Sequence, residues 1–93
     1  MGKCVPSGGR IPQAGRVGSG RSTGPPNTMV DIYDPAFGET PDTPHTQRWF
    51  DGNGNAIWDR NFRHGGGNHR FPHDHRWIDG HRDEENLDPS GSC

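Results

Sequence analysis

Thr28-Met29-Val30-Asp31-Ile32-Tyr33 is a short β-favouring run with Pro25-Pro26-Asn27 before it and Asp34-Pro35 after it. Such a run between turn residues predicts a strand. Pro35, Gly38, Pro41 and Pro44 then make residues 35–45 a connecting loop, because proline cannot donate to a sheet ladder. Two further strands, Thr46 to Phe50 and Asn55 to Arg60, flank Asp51-Gly52-Asn53-Gly54, whose Asp-Gly and Asn-Gly pairs supply the positive φ of a tight hairpin. Together the three strands predict an antiparallel meander, the smallest sheet with independent stability. Beyond Phe62, Gly65-Gly66-Gly67 cannot hold a helix and predict a loop ahead of Phe71. Residues 73–79 admit two readings. Pro72 and Gly80 would start and stop a short helix, whereas His73, His75 and Trp77 alternate at period two, as a strand requires. The alternation favours the strand. The fold class that results is α+β or mainly β: a small three- to four-stranded antiparallel meander, a His-rich loop or strand, and at most one short helix.

Composition divides the 93 residues. All eight aromatic residues lie between Tyr33 and Trp77, while residues 1–27 hold none and give 11 positions to Gly or Pro. The same first 27 residues carry Lys3, Arg10, Arg16 and Arg21 and no acid, against six Arg and twelve acids in the rest. This predicts a flexible basic Gly/Pro-rich arm over 1–26, a compact mini-domain over 27–82 and a frayed polar tail over 83–93, in which Asp83 to Leu87 could form one helical turn. Eight aromatic rings, each burying roughly 150–250 Å², would supply most of a small core. Four cations are too few for strong non-specific nucleic-acid binding at physiological salt. No apolar run is long enough to span a membrane, and no signal peptide opens the chain, so a soluble cytoplasmic or phage-associated protein is expected. Cys4 and Cys93 have no CxxC spacing. They read as bystander thiols or as one long-range disulfide.

The chemistry is concentrated in residues 63–82, which hold five of the six histidines, His64, His69, His73, His75 and His81, with Arg63, Arg70, Arg76 and Arg82. Imidazole titrates near pH ~6.5 and serves as proton donor or acceptor, and arginine clamps phosphate with two parallel donors. Two histidines and an arginine suffice for metal-free RNA cleavage: one imidazole deprotonates the ribose 2′-hydroxyl and the other protonates the leaving oxygen. On this reading His73 and His75 are the catalytic pair, Arg76 clamps the phosphate and Asp59 adjoins the site. Alternatively, His64, His69, His73 and His75 bind a divalent transition metal, zinc first, which would activate water or staple the fold. The substrate is nucleic acid, RNA before DNA, and no membrane is involved.

Plain readings stand beside these. An interspersed His-rich segment can be solvated and inert. His45, alone in the proline loop, and His81, in the tail, read as surface residues, Asp31 as an outward-facing charge and Trp77 as a packing residue. Several chemistries are excluded. The chain has no H-x-E with a downstream P-C-x-x-C, no phosphate-binding glycine loop and no H-E-x-x-H, and its serines lie only at 7, 19, 22, 90 and 92.

The stretch from Pro26 to Trp77 carries a wider pattern: Pro-Asn-Thr-Met-Val-Asp-Ile-Tyr-Asp, Gln47-Arg48-Trp49-Phe50-Asp51-Gly52, Ala56 to Phe62, His64-Gly65, and Phe71-Pro72-His73-Asp74-His75-Arg76-Trp77. It resembles small His-rich C-terminal domains of bacterial polymorphic toxins and of phage head-associated proteins. The resemblance implies a strand, a hairpin and a His-rich finish, and a nuclease delivered as a toxin, with Asp59, His64, His69, His73 and His75 at its site and a neutralising immunity protein as partner. The eleven-residue Pro-rich insertion after the first strand departs from that pattern. The alternative is a non-catalytic phage or bacterial structural or host-interaction module in which the histidines hold a structural metal.

Overall fold

Short runs rich in branched and aromatic residues, separated by Gly, Pro, Asn and Asp, make strands nearly all of the regular secondary structure among the described residues. The computed structural model describes residues 5–16, 21–62 and 72–89. In chain order the strands are β1 (Arg10–Ala14), β2 (Met29–Tyr33), β3 (Thr46–Phe50), β4 (Ala56–Asn61), β5 (His73–Ile78) and β6 (His81–Arg82). They lie side by side in that order in one six-stranded sheet. The expected meander is its centre: β2 to β3 and β3 to β4 pair antiparallel, and β5 joins β4 antiparallel as the His-Trp alternation predicts. The turn Asp51–Gly54 closes the central hairpin. Asp51 Oδ1 accepts from the amides of Asn53 and Asn55, both at 2.9 Å, and Gly54 supplies the left-handed residue at φ 77°. Among the described residues helix is confined to one 3-10 turn, Pro35–Phe37, capped by Asp34 and ended by Gly38.

The sheet is larger than the three- to four-stranded meander expected, and it is mixed. Arg10–Ala14, inside the segment read as a flexible arm, forms β1 and pairs parallel with β2 in the register Arg10↔Met29 to Ala14↔Tyr33. Its sequence, Arg-Ile-Pro-Gln-Ala, has one large apolar residue and a proline, so no alternation marks it. Pro12 is tolerated because β1 is an edge. Long-range groups hold the strand: the amide of Met29 donates to Gly9 O, the amide of Gly15 to Tyr33 O, and Arg10 makes two hydrogen bonds of 2.9 Å to Asp31. Asp31, read as an outward charge, is accordingly buried. At the far edge, β6 pairs with β5, and Leu87 exchanges backbone hydrogen bonds with Asp74. Part of the tail is therefore an extended return along β5 and not a helical turn.

Parallel neighbours need a crossover, and the described part of the chain leading into β2 roofs the core. Val30, Ile32, Phe50 and Ala56 form the buried cluster on one sheet face, with Ile11 and Trp77 packed against it. Residues 22–24 pass over this face: Ala56 N donates to Ser22 O, and Gly24 N donates to Gly54 O. A Cβ on Gly24 would stand 2.7 Å from Phe50 Cζ, so the crossover backbone lies directly on the ring. With so small an apolar cluster, one ring carries much of the stability. Phe50→Ala is expected to cost about 3–5 kcal/mol, read as a shift of the urea midpoint, whereas exposed Ile57→Ala should stay within about 0.5 kcal/mol.

Candidate functional site

Side chains alternate across a strand, so His73 and His75 share one face of β5 with Trp77, while Asp74 and Arg76 take the other. The register continues each histidine into a row across the sheet. His75 lies opposite Asp59, and Asp59 opposite Arg48; His73 lies opposite Asn61, and Asn61 opposite Thr46. Every one of these six residues is buried, on the same face that carries Val30, Ile32 and Phe50. Half of the sheet interior is thus apolar and half is polar.

In the first row Arg48 grips Asp59 with two hydrogen bonds, Nε to Oδ1 at 2.7 Å and Nη2 to Oδ2 at 2.8 Å. The Asp59 side chain is 0% exposed, and the Arg82 guanidinium stands 3.7 Å from its Oδ2. The Arg48 guanidinium also lies over the Trp77 ring, 4.7 Å from its centroid. His75 Nδ1 is 2.9 Å from the carbonyl oxygen of Asp83. A carbonyl only accepts, so Nδ1 carries a proton, and Nε2 is the ring atom left to serve as base or ligand. The His73 and His75 rings meet edge to face with centroids 4.9 Å apart. His73 also borders a cleft of about 200 Å³ lined by Pro72, Asn86, Leu87 and Asp88.

The second row ends in a hydrogen-bond chain. Thr46 Oγ1 stands 2.9 Å from Asn61 Oδ1 and 2.9 Å from His45 Nδ1, and His45 Nε2 is 3.3 Å from Gly15 O. With Oδ1 toward Thr46, Asn61 Nδ2 is a buried donor with no partner. With Nδ2 toward Thr46 instead, Nδ2 donates to Oγ1, the hydroxyl donates to His45 Nδ1, and His45 donates from Nε2 to Gly15 O, so Asn61 Nδ2 gains a partner. His45, read from the sequence as a surface residue, is 1% exposed. It ties the end of β1 to the sheet, a long-range role that a proline-loop context hides.

On the opposite face Asp74 is the matching centre. Its carboxylate accepts from Trp58 Nε1 at 2.7 Å and from Arg60 Nε and Nη2 at 2.9 and 3.2 Å. Arg60 in turn lies over Trp49.

The structure brings His73, His75 and Asp59 onto one face. Arg76, expected to clamp phosphate beside them, stands on the other face, exposed and 3.6 Å from Glu85. Arg82 and Arg48 take the positions next to Asp59. Sequence reasoning assigned no role to either, although the period-two pattern that groups His75 with Trp77 reaches Arg82 through the β5–β6 hairpin. His81 is exposed. His64, His69 and the paired-cysteine reading of Cys4 and Cys93 lie outside the described residues. Among the described residues no group of three or more His, Cys, Asp or Glu is placed to hold a metal ion. Among the described residues His73 and His75 are two of the four expected ligands, and the other two, His64 and His69, lie outside them. No helix among the described residues is long and apolar enough to cross a membrane. The chain significantly matches no family model, no curated protein and no solved structure.

The buried pair dictates a stability asymmetry. Asp59→Ala strands the Arg48 charge and is expected to cost about 3–5 kcal/mol, while the double replacement Arg48→Met with Asp59→Leu should be near neutral or stabilising. Chemical denaturation of the three proteins checks it.

Proposed function

We propose that this protein cleaves RNA phosphodiester bonds with His73 and His75 as the acid–base pair. The observation that carries the reading is the edge-to-face contact of the two buried imidazoles, 4.9 Å apart, beside a fully buried arginine–carboxylate pair. Apolar residues of similar volume would hold such a sheet interior as well or better. A concentration of polar groups there is instead the usual mark of a working site.

The hydrogen bonding supports a division of roles. His75, with its proton held on Nδ1 by Asp83 O, takes the ribose 2′-hydroxyl proton at Nε2. The 2′-oxygen attacks phosphorus, and the bond to the 5′-oxygen breaks as that oxygen receives a proton from His73. The products are a 2′,3′-cyclic phosphate and a free 5′-hydroxyl. Arg82, half-buried, stabilises the charge that develops on phosphorus, and Asp59 positions Arg82 and Arg48. Low dielectric around the pair strengthens each of these interactions. The resemblance of Phe71-Pro72-His73-Asp74-His75-Arg76-Trp77 to the His-rich finish of toxin and phage head-associated domains points to the same chemistry, and through it to a neutralising immunity protein as partner.

The test is cleavage of a fluorogenic oligoribonucleotide by the full chain and by His73→Asn and His75→Asn, with melting curves as the folding control. Each variant is expected to lose about 100-fold or more in rate, with the wild-type rate unchanged by EDTA. Variants that fold and cleave like wild type overturn the reading. Loss of both melting temperature and activity on chelation supports a metal held by the histidines instead.

A further inference from the structure

The proposed acid–base pair is shut away from its substrate. His73 and His75 are each 3% exposed, so a phosphodiester reaches the imidazoles only if a neighbouring segment moves. Two described segments adjoin the buried face near them. Residues 22–24 are fixed on the apolar cluster, with the Gly24 backbone against the Phe50 ring, and lifting them would put that ring in water. Residues 84–88, the return beyond β6, are held more lightly. Glu84, Glu85, Asn86 and Asp88 are exposed, and Leu87 is half-buried. Backbone hydrogen bonds tie this return to β5 at two points. The amide of Asp83 donates to Arg76 O at 2.7 Å, and Leu87 and Asp74 exchange bonds of 2.9 and 2.8 Å. Between those points β5 has one residue, His75, whereas the return has three, Glu84, Glu85 and Asn86. The surplus gives the return slack beside His75.

Both imidazoles meet this part of the chain. His75 Nδ1 donates to Asp83 O, and Asn86, Leu87 and Asp88 line, with Pro72 and His73, the cleft of about 200 Å³. Its charge opposes the substrate. Four of the six residues from Asp83 to Asp88 are acids and none is a cation, and Glu85 stands 3.6 Å from the exposed Arg76. An RNA backbone brought to the site meets these like charges and competes with Glu85 for the guanidinium. We infer that residues 84–88 are an autoinhibitory strap that closes the His73 side of the site and swings out about Asp83 when RNA binds. The bond from His75 Nδ1 to Asp83 O stays in place, so opening keeps the orientation of the base. Release gives up the paired hydrogen bonds between Leu87 and Asp74, which water replaces, and lifts one half-buried leucine. This inference rests on the proposed RNA cleavage, whose regulation it describes.

The test is amide hydrogen exchange of the full-length protein with and without a saturating 2′-O-methyl oligoribonucleotide, which has no 2′-hydroxyl to attack with. The Leu87 and Asp74 amides are expected to exchange about ten-fold or more faster in the complex, the open state being a minor one of roughly 10% or less in the free protein. The Ala56 amide, bonded to Ser22 O, should be unchanged. Leu87→Pro removes the Leu87 donor and side chain together. With melting curves as the folding control, it is expected to raise kcat/KM on the fluorogenic oligoribonucleotide by about ten-fold or more, because the closed state hides that share of the protein from substrate. Unchanged or slower exchange at Leu87 in the complex, or no measurable binding of the oligonucleotide, overturns the strap. So does a folded Leu87→Pro protein that cleaves no faster than an active wild type. These results leave the acid–base reading standing, because it is scored on cleavage by wild type, His73→Asn and His75→Asn. Faster exchange at Leu87 on binding, with no cleavage by wild type, would instead overturn the acid–base reading and keep the strap.

Discussion

The bidentate pair between Arg48 and Asp59 is the interaction on which the polar half of this sheet depends. Both groups are removed from water, and the cost of that removal is repaid only while each satisfies the other. Everything along the row follows. Arg48 can lie against Trp77 because its charge is met on the other side, Arg82 is drawn to Asp59 across the β5–β6 hairpin, and His75 can sit opposite Asp59 without facing a bare carboxylate. Asp74 repeats the device on the opposite face with Arg60 and Trp58. A chain with few apolar residues thus places paired charges on both sides of β4 and β5, and gathers its buried apolar cluster of Val30, Ile32, Phe50 and Ala56 where residues 22–24 close over Phe50.

This arrangement explains how a 93-residue chain so rich in Gly and Pro holds a six-stranded sheet. Much of its cohesion comes from groups that recognise partners in one geometry only. Guanidinium–carboxylate forks fix register as well as contributing energy, and a one-residue slip between β3 and β4 would move Asp59 away from Arg48 and onto the other face. The same specificity lets β1 join the sheet. Arg10 finds Asp31, and His45 reaches Gly15 O through a chain that begins at Asn61.

The part of the fold that local sequence controls was legible from it. Turn residues and alternation mark β2, β3 and β4, the Asp51–Gly54 turn, and β5 through His73, His75 and Trp77. β1 was not legible, because Arg-Ile-Pro-Gln-Ala carries no period and is held by partners 20 or so residues away. His45 and Asp31 were misread for the same reason: the proline loop and the flanking aromatics say nothing of Thr46, Gly15 or Arg10. At the candidate site, alternation was enough to place His73 and His75 together and to bring Asp59 near. It also carries Arg76 to the opposite face, and the parity of the β5–β6 hairpin puts Arg82 beside Asp59.

If His73 and His75 form an acid–base pair that works on the ribose 2′-hydroxyl, the chemistry leaves its signature on the product. The decisive measurement is end-group analysis of RNA incubated with the full-length protein in EDTA. The account predicts 2′,3′-cyclic phosphate ends paired with 5′-hydroxyl ends, and no cleavage of the same sequence when each ribose is 2′-deoxy. Products with 5′-phosphate ends, cleavage of the deoxy substrate, or intact RNA would contradict it.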